Sequence, residues 1–263
     1  MRALEQLFRF GWEQALSCLF PVVIFASLAL TKIIPLPILP RYDWLLIICL
    51  VMQWWMVRSG LETRDELKVI TLFHLIGLAL ELFKTHMGSW SYPEEGYFKF
   101  FGVPLYSGFM YASVASYLCQ AWRRLNVDLV KWPPFWLVVA LASAIYLNFF
   151  THHFWIDIRW YLAGLVIIVF WKSWVTYEIN GTHYRMPIAL SFMLIGFFIW
   201  IAENIATFFG AWEYPNQTKA WSLVHLGKVS SWVLLVIVSF LIVATLKQVK
   251  GKNTTKINTS HTL

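Results

Sequence analysis

Long apolar runs alternate with short polar intervals along this chain. A helix that crosses the hydrocarbon of a bilayer needs roughly 20 mostly apolar residues. Eight runs approach that length: Trp12–Leu30, Trp44–Val57, Val69–Met87, Leu105–Ala121, Phe135–Phe150, Tyr161–Val175, Pro187–Phe209 and Leu223–Leu246. The second and sixth are short in strictly apolar residues and extend into flanking Trp and Tyr. The pattern predicts an all-α integral membrane protein of about eight transmembrane helices over residues 1–248. A polar tail, 249–263, with Lys, Asn, Thr and Ser is expected to be a disordered cytoplasmic extension.

Composition narrows the class. Hydrophobic residues make up 59% of the chain and charged residues 13%, against about 25% charged in soluble domains. Mean hydropathy is +0.61. A soluble chain of 263 residues could not hide so much apolar surface. Sixteen Trp and eleven Tyr suit aromatic belts at two membrane interfaces. Cys18, Cys49 and Cys119 lie in apolar runs without metal-ligand spacing, so they read as packing thiols. Two Arg precede the first run in the manner of a signal sequence. No small-residue cleavage site follows and many more spans do, so a retained first helix is expected.

The net charge of +7 orients the chain rather than pointing to nucleic acid, for which there is no basic face or motif. Of the 21 Lys and Arg, seven fall on one side of the eight runs: Lys32, Arg41, Lys84, Lys99, Arg159, Lys219 and Lys228. The other fourteen share the side of the two termini. Basic residues collect in the cytoplasm, so both termini are expected there, in a bacterial cytoplasmic membrane.

A duplication stands out. Glu81, Gly88, Trp90, Tyr92 and Pro93 recur as Glu203, Gly210, Trp212, Tyr214 and Pro215, each 122 residues later. Both copies read E-x6-G-x-W-x-Y-P at the outer end of an odd-numbered run. Gly ends the helix, Trp and Tyr sit at headgroup depth, and Pro prevents continuation. A fainter echo joins Arg41-Tyr42-Asp43-Trp44 to Asp157-Ile158-Arg159-Trp160. Two parallel four-helix repeats, about 1–125 and 126–248, are therefore expected, with a site at their interface.

Ionisable residues inside spans are costly and face the bundle interior. Glu81 and Glu203 thus become the leading candidates, as ligands or as acid and base once their environments differ. Trp90, Tyr92, Trp212 and Tyr214 would line the pocket. His74 lies seven residues before Glu81 on the same helical face, and Lys84 one turn beyond could pair with it. A second group, Asn148, His152, His153, Asp157 and Arg159, sits between the fifth and sixth runs, and His225 enters from the same side. Glu81, Glu203, His153 and Asp157 are the candidate catalytic groups. His74, His225, Asn148 and Arg159 join the aromatics as candidate binding groups. Should a metal be held, His152, His153, Asp157 and His225 would be its ligands, although no metal signature is present. The alternative is a hydrogen-bond network pairing Asp157 with Arg41 and Arg159 with Asp43. Asn180-Gly181-Thr182 fits a glycosylation pattern but falls on the cytoplasmic side. No P-loop, dinucleotide fingerprint or nucleophile elbow is present, and no cofactor is readable.

The stretches Phe73-His74-Leu75-Ile76-Gly77, Glu81-Leu82-Phe83-Lys84-Thr85, Gly88-Ser89-Trp90-Ser91-Tyr92-Pro93 and Thr151-His152-His153-Phe154 resemble the bacterial membrane family catalogued as domain of unknown function 817. The resemblance covers nearly the whole chain. It implies a multi-pass bacterial membrane protein and carries no activity. A more distant likeness is to membrane carotenoid cyclases and hydratases, whose paired acidic motif is absent from the spans here; Glu94-Glu95 lies in a loop. Two functions are expected from these residues. One is an intramembrane enzyme acting on a lipid or isoprenoid-like substrate through acid/base carboxylates. The alternative is a transporter or binding protein for a small solute or cation. The expected partners are the bilayer and a lipophilic or small-molecule ligand.

Overall fold

The computed structural model describes the backbone of residues 2–34 and 36–260, and the side chains of 3–34 and 36–246. It is mostly helical. In chain order the elements are α1 (Arg2–Ser17), α2 (Leu19–Ile33), α3 (Arg41–Arg58), α4 (Arg64–His86), β1 (Lys99–Phe100), β2 (Val103–Pro104), α5 (Ser107–Arg124), β3 (Asp128–Val130), α6 (Phe135–Thr151), α7 (Arg159–Val169), β4 (Trp174–Ile179), β5 (Thr182–Pro187), α8 (Ile188–Phe208) and α9 (Lys228–Ser260). The tail expected over 249–263 lies outside the described side chains.

Among the described residues, Ile188–Phe208 and Lys228–Leu246 are each long and apolar enough to cross a membrane. Ala3–Ser17 and Leu19–Ile33 pass only as a pair bent by 67°. The first apolar run is therefore not one straight helix. It breaks at Cys18, and its N-terminal half belongs to a separate amphipathic helix. The sixth run also differs. Helix α7 stops at Val169, and Trp174-Val175 open a strand instead. At about 1.5 Å per residue its eleven residues reach only part of the way across a bilayer.

The all-α expectation is corrected by a three-stranded antiparallel sheet in the order β3-β4-β5. Residues 174–186 are rich in β-branched and aromatic side chains, and Asn180 and Gly181 both take positive φ, 49° and 71°. That is the type I′ turn that Asn-Gly favours in two-residue hairpins. Ile179 pairs with Thr182 across the turn, and Trp174 with Pro187 at the open end. The glycosylation-like tripeptide is this turn.

The sheet organises the bundle. β3 follows α5, β4 follows α7 and β5 leads into α8, so the ends of α5 and α7 and the starts of α6 and α8 share one face. Phe10 of α1 packs on Tyr177 of β4 at the same end. The opposite face holds the loops after α4 and α8, whose strands pair at Ser91 and Glu213.

Helix α4 opens on a reciprocal capping box between Thr63 and Glu66. Small residues bring it close to α5. A Cβ on Gly77 would stand 2.4 Å from the Tyr111 ring, and one on Gly108 would stand 2.7 Å from the His74 ring. Gly196 of α8 serves α9 similarly, with Val233 2.6 Å from the same construction. Close backbone approach through small residues is the usual basis of packing between apolar helices. The buried side chains form two clusters. One is centred on α2 to α5, and the other joins the end of α5 to α6–α9.

Candidate functional site

The two Glu-Gly-Trp-Tyr-Pro stretches fold alike at their helix ends. Gly88 and Gly210 have φ of 67° and 70°. Ser89 N–H donates to Lys84 O and Ala211 N–H to Ala206 O, each at 2.9 Å. Both helices thus end in a Schellman motif with glycine in the left-handed position. The following segments then pair with one another. Ser91 N–H donates to Glu213 O, and Glu213 N–H to Ser91 O, both at 2.9 Å. Ser91 and Glu213 are themselves 122 residues apart, so equivalent positions meet. The Trp90 and Tyr214 rings pack edge to face across this junction, 6.0 Å between centroids.

Each tyrosine turns back onto its own glutamate. Tyr92 OH donates to Glu81 Oε2 at 2.7 Å, and Tyr214 OH to Glu203 Oε1 at 2.5 Å. Burial and the adjacent carboxylate push both phenols well above their ordinary pKa of 10.0, which keeps them protonated as donors. Glu81 also accepts from Trp90 Nε1 at 2.6 Å and from Tyr111 OH at 2.8 Å. Glu203 accepts its second bond from Trp232 Nε1 at 2.7 Å. The copies therefore differ in detail. Trp90 serves Glu81, whereas its counterpart Trp212 packs against the first core cluster and Trp232 of α9 supplies the indole.

In front of this wall lies a cavity of about 130 Å³. Trp90, Tyr111, Tyr214, Trp232 and Glu203 line its back; Glu81 is sealed behind Trp90, Tyr92 and Tyr111. Three cationic side chains reach it from α4, α7 and α9: Lys84, Arg159 and Lys228. Lys84 is 2% exposed. Its Nζ donates to Phe149 O at 2.9 Å, stands 2.8 Å from His153 Nε2, and sits 4.0 Å above the Phe149 ring. Lys228 Nζ lies over the Tyr214 ring at 4.6 Å and the Trp90 ring at 5.4 Å. Among the described residues neither lysine has a carboxylate at ion-pair distance. Lys84 does not pair with Glu81, whose oxygens are taken by three other donors.

The second candidate group is partly gathered here. Asn148 donates to Asp157 Oδ1 at 3.2 Å and accepts from Ile158 N–H at 3.0 Å, which folds the α6–α7 turn over the cavity. Arg159 pairs with Asp157 at 2.5 Å and reaches Ser231 Oγ at 3.2 Å. Burial raises the Asp157 pKa, but the hydrogen bonds from Arg159 and Asn148 and the guanidinium charge outweigh it and hold it below 3.8. The His152 and His153 rings lie 4.2 Å apart between centroids, tilted by 32°. Burial and the neighbouring Lys84 charge lower both pKa values below 6.5.

Other candidates lie elsewhere. His74 packs on Phe109, 4.4 Å between ring centroids, with Nδ1 buried and without a hydrogen-bond partner among the described residues. His225 is exposed and its Nδ1 accepts from Gly227 N–H at 3.1 Å. Among the described residues no three His, Cys, Asp or Glu gather as metal donors, so His225 does not complete a set with His152, His153 and Asp157. The cross-pairs of Asp157 with Arg41 and Arg159 with Asp43 do not form. Arg41 instead pairs with Glu94 at 2.8 Å and donates to the Phe209 and Gly210 carbonyls. Asp43 accepts from Tyr97 and Phe98 N–H.

Lys228, Tyr111, Trp232 and Ser231 are cavity residues that sequence reasoning left out of the site. Lys228 and Trp232 are one helical turn apart at the start of an apolar run, and that spacing was the available signal. Tyr111 had none, being one aromatic among many.

The matching family model is "Protein of unknown function (DUF817)", over residues 6–240. The chain is similar to "Uncharacterized protein YoaT" of Bacillus subtilis (strain 168), at 84% identity over 256 residues, 97% of each chain. No solved structure matches it. The match over nearly the whole length includes both Glu-Gly-Trp-Tyr-Pro stretches and the cavity that lies in front of them, and the chain belongs to the DUF817 family.

Proposed function

We propose that this is a multi-pass protein of the bacterial cytoplasmic membrane whose two related halves hold an outward-facing binding site for a small anionic group. The observation that carries the reading is the convergence of Lys84, Arg159 and Lys228 on one cavity in which the two lysines lack carboxylate partners among the described residues. A cation would be repelled by that set. A carboxylate, sulfate or phosphate group would gain charge-assisted hydrogen bonds in a desolvated setting. Ser89, Asn148 and Ser231 add neutral polar groups at the same wall.

The membrane reading draws support from more than the two longest apolar helices. Large apolar side chains are exposed along the flanks of the bundle, among them Leu50, Leu75, Leu147, Ile168 and Phe198. Soluble monomers seldom expose so much contiguous apolar surface. Exposed aromatics collect at both ends. Trp54, Trp136 and Trp171 lie toward the sheet, and Trp155, Trp160 and Tyr161 toward the paired loops. These correspond to two interfacial belts. We take the sheet end as cytoplasmic, since it carries Arg9, Arg58, Arg123, Arg124, Lys131, Lys172 and Arg185. The chain then makes eight traverses, with α1–α2 counted as one and α7 as a short one, and both termini are cytoplasmic. The pairing of Ser91 with its own equivalent, Glu213, favours two four-helix repeats about an axis along the membrane normal.

Acid–base chemistry on a lipophilic substrate has less support at Glu81, which is sealed by three donors. Glu203 borders the cavity and is the carboxylate better placed to meet a ligand. Titration of the purified protein with inorganic phosphate, sulfate and acetate, read by tryptophan emission, tests the proposal, because Trp90 and Trp232 line the cavity. A saturable change is expected for at least one anion. Lys84→Ala or Lys228→Ala should weaken it roughly 10–100-fold, the equivalent of a charged hydrogen bond of about 1.5–3 kcal/mol. Silence with every anion, or an unchanged response in the double variant, would refute it.

A further inference from the structure

Helix α1 is amphipathic in an inverted sense. Its exposed face is centred on Leu4, Leu7, Phe8, Gly11, Trp12 and Ala15, spaced by three and four residues, with Ala3 and the Glu5–Arg9 ion pair exposed at its flanks. Four of these are large and apolar, with Leu4 72% and Phe8 74% exposed. The residues turned toward the protein are Gln6, Phe10, Glu13, Gln14, Leu16 and Ser17, four of the six polar. Their partners are specific. Gln14 accepts from Tyr117 OH at 2.8 Å, Glu13 pairs with Arg124 at 3.4 Å, and Phe10 packs on Tyr177. Arg9 reaches Asn180 at the hairpin turn, 3.4 Å away. Water is the wrong medium for the centre of the outer face, which is apolar, while most of the groups turned toward the protein are polar and the charged Glu5 and Arg9 lie at the flank.

We infer that α1 lies in the plane of the cytoplasmic leaflet, with its apolar stripe among the acyl chains and its polar stripe on α5 and the sheet. Three observations converge on lipid as the occupant. The 67° bend at Cys18 turns α1 away from α2, so a crossing α2 leaves α1 near the membrane plane. The sheet end, on which α1 packs, is the basic end. Trp12 joins the exposed Trp54, Trp136 and Trp171 of that end, at the depth where indoles settle. A helix of strong amphipathicity and little net hydrophobicity is the type that binds an interface rather than crossing it. The inference rests on the membrane reading above, but not on the anion site.

Spin labels test it. With Cys18, Cys49 and Cys119 replaced, single Leu4→Cys, Leu7→Cys, Phe8→Cys and Trp12→Cys variants are labelled. The full chain is reconstituted in vesicles of phosphatidylethanolamine and phosphatidylglycerol, and label depth is read from oxygen and nickel-chelate accessibility. All four labels should share one shallow depth, about 5–10 Å below the headgroups, while a Gln6→Cys label should be shielded from both reagents. Depth rising along the helix, by about 12 Å from residue 4 to residue 12 at 1.5 Å per residue, would overturn the inference in favour of a crossing segment. A stripe open to nickel would overturn it in favour of water, and a stripe shielded from both reagents in favour of another protein surface. A chain that does not incorporate into vesicles at all would remove the membrane reading itself.

Discussion

Replacing Glu81 by alanine removes the acceptor of three buried donors at once: Trp90 Nε1 at 2.6 Å, Tyr92 OH at 2.7 Å and Tyr111 OH at 2.8 Å. A buried donor left unsatisfied costs about 1–3 kcal/mol, which sets a range of roughly 3–9 kcal/mol for three. Tyrosine hydroxyls can rotate toward new partners, whereas an indole N–H can only donate. The low half of that range, about 4 kcal/mol, is therefore expected for Glu81→Ala. Glu81→Gln is different. Its carbonyl oxygen can keep Trp90 and Tyr92, and its amide can donate to the Tyr111 oxygen once that hydroxyl turns. Only charge assistance is lost, at about 1–2 kcal/mol. The two variants should thus differ by about 2–3 kcal/mol. The assay is equilibrium unfolding of the purified protein by sodium dodecyl sulfate, followed by tryptophan emission. Equal stabilities for the two variants would show that Glu81 does not clamp the aromatic wall, and that its burial has another purpose.

Three further outcomes follow from particular contacts. Gly77→Val should destabilise the bundle by about 2–3 kcal/mol through overpacking, since even a Cβ there stands 2.4 Å from Tyr111; the same unfolding assay reads it, and a neutral effect would deny the close α4–α5 approach. Glu62 is buried in the α3–α4 turn, where Gln53 and Ser116 donate to it, and burial raises its pKa above 4.5 despite those bonds. A raised carboxyl favours the folded state below 4.5 and loses that contribution as pH rises through the shifted value, so Glu62→Gln should flatten the stability profile there; an unchanged slope would contradict this. His152 and His153 have lowered pKa values and face Lys84, with Lys228, Arg159 and Asp157 nearby. The unliganded protein should lose stability as pH falls below 6.5, while phosphate binding tightens as the imidazoles charge; a His152→Gln/His153→Gln variant should lose both trends in the titration.

Some of this was legible in the chain and some was not, for identifiable reasons. The Glu-Gly-Trp-Tyr-Pro pattern carried its local structure because its glycines act through the backbone, where Gly88 and Gly210 take positive φ and end their helices. Pairing between the loops was beyond reach, because Ser91 and Glu213 meet through backbone groups that any residue supplies. The hairpin at Asn180-Gly181 was readable as a turn, but the apolar content of Trp174 and Val175 drew them into a span instead. Periodicity and hydrophobicity compete when a strand follows directly on a short helix. The break at Cys18 has a local cause in Pro21, which sits in the first turn of α2 and cannot donate to the Ser17 carbonyl as a continuous helix would require; the apolar run around it masked that signal, and the inward polar stripe Gln6, Glu13, Gln14 is the second mark. The candidate cations were visible as charges and were spent on orientation. Their convergence depends on how α4, α7 and α9 pack, which no single element specifies.

The duplicated pattern is symmetric where it makes structure and asymmetric where it meets the cavity. Both tyrosines return to their glutamates and both glycines end their helices in the same bonds. Beyond that the two copies of the pattern diverge. Glu81 takes three donors and is closed off, while Glu203 takes two and borders the cavity. The divergence has a physical consequence. A buried carboxylate needs compensation wherever it sits. Glu81 obtains it from hydrogen bonds supplied by α5 and the loop after α4, so it acts as a fixed clamp behind the aromatic wall. Glu203 obtains part of its compensation from Lys228, whose charge lies in front of it without forming a pair. An anion entering the cavity would compete with Glu203 for Lys228, and a proton on Glu203 would release that lysine to the ligand. Ligand and proton should therefore be coupled through Glu203 and not through Glu81. Phosphate binding by Glu203→Gln should be tighter than in the native chain and should take up fewer protons from buffer. Glu81→Gln should leave both properties unchanged. If the two variants behaved alike in a calorimetric titration across buffers of different ionisation enthalpy, the asymmetry would have no functional meaning, and the carboxylates would be equivalent clamps.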